Sequence, residues 1–457
     1  MDYQEFLASK RLLAPSVGVT VDPASLHPAL FPFQRAAVTW SLRKGQAALF
    51  ETTGLGKTLQ QLVWAQHAAT RTLILAPLAV AQQTVREGER WGIPVTYARS
   101  QAAAAPTGIT ITNYEMVGHF DAGQFGAIVL DESSILKAQD GKTRTALIAT
   151  FKDTPMRLCC TATPAPNDID ELGNHAEFLG VMPLTEMRAA FFVHDENGYH
   201  LKGHARQPFY RWLASWGLSL IRPSDLGFDD AGYDLPPLSI VPEIVQTNYL
   251  PAGRLVPVGL KGIQDRAAVR KDTLGARVER AAGLINADLA EPWIAWVGLN
   301  EEGRQLARLV PDAVLVEGNQ TPDEKATALL RFASGQVRVL ITKAAIAGHG
   351  LNLQYCARMA FVGLSDSYEQ YFQCIRRCYR FGQQRPVHAH IVLTEVEQVI
   401  YENVLRKEKE ATEVMTQLVQ QAAIYEKEEL GMHSARDGYL PTVSLQLPTW
   451  LGAGVAA

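Results

Sequence analysis

Apolar positions along the chain fall into short runs separated by longer amphipathic stretches. In the first part, runs of strand length occupy 46–50, 72–76, 94–97, 109–112, 127–131 and 157–161. Helical spacing predicts helices between several of them, over 34–43, 57–68 and 79–91. Short apolar strands alternating with helices of about ten residues or more predict a parallel sheet covered on both faces. The alternation resumes near residue 290. Strands are predicted at 293–297, 313–316, 337–341, 358–363 and 388–393, and helices at 301–309, 322–334 and 367–381. The fold class read from the pattern is α/β, with two parallel-sheet units in tandem.

The stretches outside these units read differently. Residues 171–235 carry Phe191, Phe192, Phe209, Tyr210, Trp212 and Trp216 and are predicted to form a helical, aromatic insert, with Trp212 and Trp216 packed inward. Residues 236–289 open on Pro236 and Pro237, as an extended linker does. They continue into a basic helical segment, with seven Lys/Arg against three Asp/Glu over 254–280. One long helix is predicted over 397–428. Val399, Ile400, Val404, Val414 and Leu418 form an apolar stripe suited to bracing the second unit. The expected division is therefore 1–170, 171–235, 236–289, 290–396 and 397–457.

Composition narrows the function classes. The chain has 457 residues, 47% of them hydrophobic, which suits globular domains with real cores. Forty-seven acids against 43 bases leave a net charge of −4, so a nucleic-acid partner would need a localised basic surface. The five cysteines form no CxxC pair, which argues against a disulfide framework. No apolar run is long enough for a membrane span or a signal peptide, so the expected location is the cytoplasm. His200 and His204 stand four apart, but Gly198 and Gly203 disfavour a helix there, and the pair is not read as a metal site.

Candidate chemistry sits at strand ends. Glu51-Thr52-Thr53-Gly54-Leu55-Gly56-Lys57-Thr58 follows a strand and opens a helix, the setting of a phosphate-binding loop. Gly54 and Gly56 free backbone N–H groups for phosphates, Lys57 reaches the β- and γ-phosphates, and Thr58 offers a hydroxyl to Mg²⁺. Glu51 stands where that pattern usually has Gly or Ala. The strand ending Ile128-Val129-Leu130-Asp131-Glu132-Ser133-Ser134 presents two carboxylates, Asp131 for Mg²⁺ and Glu132 for the attacking water. Thr161-Ala162-Thr163-Pro164 ends another strand and offers hydroxyls that link the carboxylates to the rest of the protein. In the second unit, Arg377 and Arg380 share a helix face and suit a clamp on a phosphoryl group. Cys374 and Cys378 lie on the same helix and read as buried thiols.

Together these motifs resemble helicase superfamily 2, and within it the Swi/Snf-type DNA-dependent ATPases, in a compact form like those of bacteriophages and prophages. The resemblance spans about residues 28–410. Leu30–Gln34 resembles the motif whose glutamine reads adenine, which gives Gln34 that role. Thr53–Thr58 resembles MGLGKT with Thr53 in place of Met. Leu73–Pro77 and Ile111–Glu115 resemble motifs that face DNA, implying contacts from Pro77, Thr112, Asn113 and Tyr114. Asp131–Ser134 stands at the DEAH position and Thr161–Pro164 at TATP, with Thr161 and Thr163 as coupling residues. Gly348–Leu353 resembles GLGINL, which implies a nucleotide contact from Gly350. Gln373–Gln383 matches QxxxRCxRxGQ, making Arg377 and Arg380 arginine fingers and Gln373 a coupling residue. Thr342–Ala347 departs from the family's STRAG.

The resemblance implies two RecA-like lobes with an ATP site in the cleft between them. It implies ATP and Mg²⁺ as cofactors, duplex DNA as track, DNA-bound proteins as candidates for displacement, and no membrane partner. Arg270 and Lys271 in the basic run are further candidate DNA contacts. A strand-separating DNA or RNA helicase, a nucleotide-gated DNA clamp and a motor subunit of a larger complex stay open as alternatives.

Overall fold

The computed structural model describes residues 13–137, 141–165, 168–196, 198–247, 270–347, 353–365 and 367–431. Lobe one begins with β1 (Gln46–Glu51), β2 (Arg71–Ala76), β3 (Val95–Tyr97), β4 (Gly108–Asn113), β5 (Ala127–Asp131) and β6 (Met156–Thr161). An antiparallel hairpin follows, β7 (Phe192–Asp195) with β8 (Gly198–Leu201). The chain then returns to the sheet as β9 (Gly217–Leu220). The order is β3-β4-β2-β5-β6-β1-β9, and every pairing is parallel.

Period-two alternation explains why these strands read as unbroken apolar runs. Ala48, Phe50, Ile128, Leu130 and Cys159 enter one core. Their neighbours Ala47, Leu49, Ala127, Val129, Leu158 and Cys160 enter the core on the opposite face. Helices α1 (Pro32–Lys44), α2 (Lys57–Ala68), α3 (Leu78–Arg90), α4 (Lys142–Phe151), α5 (Leu172–Leu179), α6 (Leu184–Phe191) and α7 (Arg206–Ala214) complete the lobe. Val38 and Leu62 serve one face, and Phe178 and Leu213 the other.

Lobe two contains β10 (Leu238–Val245), β11 (Trp293–Val297), β12 (Ala313–Val316), β13 (Val339–Lys343), β14 (Arg358–Val362) and β15 (Val387–Thr394). They pair in the order β10-β15-β14-β11-β13-β12, again all parallel. Its helices are α8 (Leu274–Ala287), α9 (Asn300–Leu309), α10 (Pro322–Ala333), α11 (Ala344–Ala347), α12 (Tyr368–Cys378) and α13 (Gln398–Glu429). A capping box starts α10. Thr321 Oγ1 accepts the Glu324 N–H at 3.3 Å, and Glu324 Oε2 accepts the Thr321 N–H at 2.7 Å. Among the described residues, no helix is long and apolar enough to cross a membrane.

Four expectations change. The aromatic insert is not separate from lobe one: β9 pairs with β1, and Trp212 and Trp216 lie in the lobe's core. The linker contains β10, which among the described residues is an edge strand paired with β15 alone and so tolerates Pro242. Strand β13 lies two residues beyond the predicted 337–341. Helix α13 braces both lobes. Ile400 and Val404 enter lobe two's core, while Met415, Leu418 and Val419 enter lobe one's; Val399 is exposed.

Candidate active site

Strands β5, β6 and β1 are consecutive in the first sheet. Their C-terminal ends therefore bring the glycine loop, the carboxylates and the TATP segment to one place, the usual ligand edge of a parallel sheet. Gly54 and Gly56 have φ of +100° and +82°, a region that disfavours side chains. A Cβ on Gly56 would lie 2.3 Å from Gln34 Nε2, so a side chain there would have to displace Gln34. Gln34 ties the loop to α1: its Nε2 donates to Leu55 O at 2.7 Å, and its Oε1 accepts the Phe31 N–H at 2.9 Å. Lys57 Nζ donates to the carbonyls of Glu51 (2.6 Å) and Thr52 (3.1 Å).

The acids beneath the loop are buried. Burial pushes the Glu51 carboxyl up to about 7, against the pull of nearby Lys57. Gln60 Nε2 donates to it at 2.8 Å. Asp131 is raised to about 6, first by burial and then by the neighbouring Glu132 charge. Burial also lowers Lys57, opposed by Glu51, Glu132 and Asp131. A bound divalent cation would relieve the Asp131–Glu132 repulsion. The donor set of hard oxygens, Asp131 and Thr58, fits Mg²⁺. Glu132 has φ +58°, the one non-glycine positive value among the described residues. Thr161 Oγ1 donates to Glu132 Oε1 at 3.0 Å and accepts the Thr163 N–H at 3.1 Å. Behind the loop, His175 Nε2 sits 3.1 Å from Ser133 Oγ, and burial lowers that imidazole to about 4.

Lobe two closes the cleft. Arg377 and Arg380 line it with Gln34, Gly54, Gly56, Lys57, Thr58, Asp131 and Glu132, around a volume of about 460 Å³. Arg377 is buried; its Nη2 donates to Gln373 Oε1 at 2.8 Å, and the Glu132 and Asp131 charges oppose the effect of burial on it. Arg380 is lowered to about 10 by burial and by Arg377. Among the described residues its buried Nε has no hydrogen-bond partner, a donor available to a phosphate. Phe381 reaches across the gap. A Cβ on Gly54 would lie 2.9 Å from its backbone N, and its ring meets Phe31 and Tyr233 at 6.4 and 4.7 Å. This aromatic contact was not read from the sequence, because its three members lie far apart in the chain.

A model described as SNF2-related domain matches residues 33–195, and one described as Helicase conserved C-terminal domain matches residues 302–382. The chain belongs to the Swi/Snf-type ATPases of helicase superfamily 2. No curated protein matches it significantly. Among solved structures it is similar to the Sulfolobus solfataricus SWI2/SNF2 ATPase core in complex with dsDNA. The two are 17% identical, with 91% of this chain and 98% of that one covered, at a TM-score of 0.42.

In this Swi/Snf-type ATPase the expected nucleotide-site side chains converge, with one exception: Gly350 lies outside the described residues. The expected DNA contacts fare differently. Thr112, Asn113 and Tyr114 are buried, and the Tyr114 hydroxyl donates to Asp131 O at 2.8 Å, which supports the carboxylate strand rather than a groove. Pro77 is the N-cap of α3 and half-buried. Most of the basic run lies outside the described residues. At its end Arg270 is turned inward onto Glu302 at 3.3 Å, so it is not an open phosphate contact; Lys271 is exposed. Arg277 is fully buried between Glu302 (2.8 Å) and Glu397 (3.1 Å). Much of that segment's visible positive charge is therefore spent inside lobe two.

Proposed function

We propose that this ATPase is a translocase that moves along duplex DNA and displaces proteins bound to it. The reading rests on one observation: a phosphate loop and two carboxylates on lobe one face two arginines on lobe two across a single cleft. Gln34 reads the adenine, the loop amides and Lys57 hold the phosphates, and Thr58 with Asp131 would hold Mg²⁺. The ion supplies charge neutralisation for the triphosphate. Glu132 takes a proton from the attacking water as the bond to the γ-phosphoryl group breaks, and Arg377 and Arg380 stabilise the charge that develops.

The arginines belong to the other lobe, so ATP favours the closed cleft, and hydrolysis removes that preference. A ligand shifts a two-state equilibrium only by its differential affinity, and the γ-phosphate–arginine contact supplies it here. Lobes that grip a backbone alternately would convert each cycle into a step. Family membership favours a duplex track over strand separation. The test compares ATP turnover without nucleic acid and with single-stranded DNA, duplex DNA and RNA, alongside displacement of a third strand from a triplex. Strongest stimulation by duplex DNA together with triplex displacement is expected. Strand separation without triplex displacement would overturn the reading in favour of a helicase.

A further inference from the structure

The carboxylate loop makes a second cross-cleft contact that nucleotide binding does not require. Ser134 has one hydroxyl proton and two carboxylates within reach. Its Oγ lies 3.4 Å from Glu132 Oε1 and 3.0 Å from Glu369 Oε1. Glu369 lies in the first turn of α12, the helix whose last turn carries Arg377. Lys137, at the end of the 3₁₀ turn Ser133–Lys137, forms an ion pair with the same Glu369 carboxylate from the lobe-one side. Glu132 Oε1 also accepts the Thr161 hydroxyl.

We propose that Glu369 is a positioning residue for ATP hydrolysis, drawing the Ser134 proton away from Glu132 when the cleft closes. One hydroxyl proton cannot serve two carboxylates, and the 3.0 Å contact is within the range of a good O–H···O bond while 3.4 Å is beyond it. With the lobes together, the Thr161 hydroxyl is the short donor to Glu132 Oε1 among the described residues, and the carboxylate stays aligned and basic toward the attacking water. With the lobes apart, Glu369 withdraws with α12, and the Ser134 proton turns to Glu132 Oε1, where a second donor beside Thr161 misaligns the carboxylate and weakens it as a base. One helix and the turn that follows it thus bring the arginines and free the base in one motion. The inference deepens the catalytic reading and rests on Glu132 as the base.

The test measures ATP hydrolysis and ATP affinity in the full chain with saturating duplex DNA. Glu369→Ala is expected to lower kcat about tenfold with KM for ATP within about twofold, because the loss is one of alignment rather than binding. Glu369→Gln, which keeps an accepting oxygen, is expected to retain at least about a third of kcat. Adding Ser134→Ala to Glu369→Ala removes the competing proton and is expected to restore kcat to within about threefold of the native chain. An acid that served only the helix terminus or its ion pair with Lys137 would show no such rescue. Losses that add in the double variant, or a Glu369→Ala enzyme with native kcat, overturn the proposal. Glu132→Gln separates the two levels: native turnover in that variant defeats the catalytic reading itself, whereas its loss beside an unaffected Glu369→Ala defeats only this inference.

Discussion

The two halves of the nucleotide site are built in different ways. Lobe one's half is local. Three adjacent strands end in three loops, and short-range hydrogen bonds such as Lys57 to Glu51 O and Gln60 to Leu55 O hold the cradle without help from lobe two. Lobe two's half hangs from the end of one helix. Gln383 Nε2 lies within hydrogen-bond reach of the carbonyls of Gln354 (2.9 Å), Cys356 (3.1 Å) and Cys378 (3.2 Å). It thereby ties the Cys378 carbonyl, where α12 ends, to the segment before β14 and fixes the turn that carries Arg380. The difference separates binding from chemistry: the cradle exists in one lobe, while the arginines matter only when the second lobe arrives.

The sharpest way to break that comparison is to remove one cation from each half. Lys57→Ala is expected to abolish both ATP binding and turnover. Arg380→Ala is expected to cost on the order of 10³-fold in turnover, the scale of an arginine finger, with ATP affinity within a few fold. Equilibrium binding of a fluorescent ATP analogue beside steady-state hydrolysis checks both. If the two variants lost ATP affinity equally, the arginine would belong to the cradle and the division of labour would be gone.

The same contrast governs what was legible in the sequence. The glycine loop, Asp131, Glu132 and Thr161 were readable because each stands at the end of an apolar strand, in a contiguous motif. Glu369 was not, since its partner Ser134 lies 235 positions away and an acid in a helix's first turn looks ordinary. Strand β9 was missed because four residues beginning with Gly217 carry little period, and β10 because Pro242 reads as a linker residue. Tyr114 and Arg270 were assigned outward on motif and charge, but each has an internal acceptor, Asp131 O and Glu302, that sequence position does not reveal. Helix α13 was readable in length but not in reach, because an apolar stripe does not say how many cores it enters.

That reach gives a second test, comparing the helix's two ends. Ile400 is buried against lobe two and Leu418 against lobe one. Either change to Ala is expected to cost about 2–5 kcal/mol, the range for emptied aliphatic sites. The consequences should differ in place. Leu418→Ala should speed amide exchange in α7 and β9, and Ile400→Ala should leave those elements protected while loosening lobe two. Uniform exchange throughout the chain in both variants would mean that the helix does not link two separable cores.

The smallest effect lies at the lobe-one end of the same helix. Glu426 is fully buried, accepts the Ser219 N–H at 2.8 Å, and has its carboxyl pushed well above the ordinary value of 4.5 by burial. A raised folded-state value means that the native chain holds this proton more tightly than the unfolded chain does. Its contribution to stability is therefore complete below about pH 4.5 and declines as pH rises, until the buried carboxyl itself ionises. Glu426→Gln keeps an oxygen for Ser219 and has no proton to lose. Its melting temperature is expected to lie close to the native value near about pH 4 and to exceed it by a growing margin toward about pH 8. Thermal denaturation of both chains across that range measures the margin. A difference that stays constant with pH would show that Glu426 titrates alike in the folded and unfolded chains, and that the end of α13 is not sealed against lobe one.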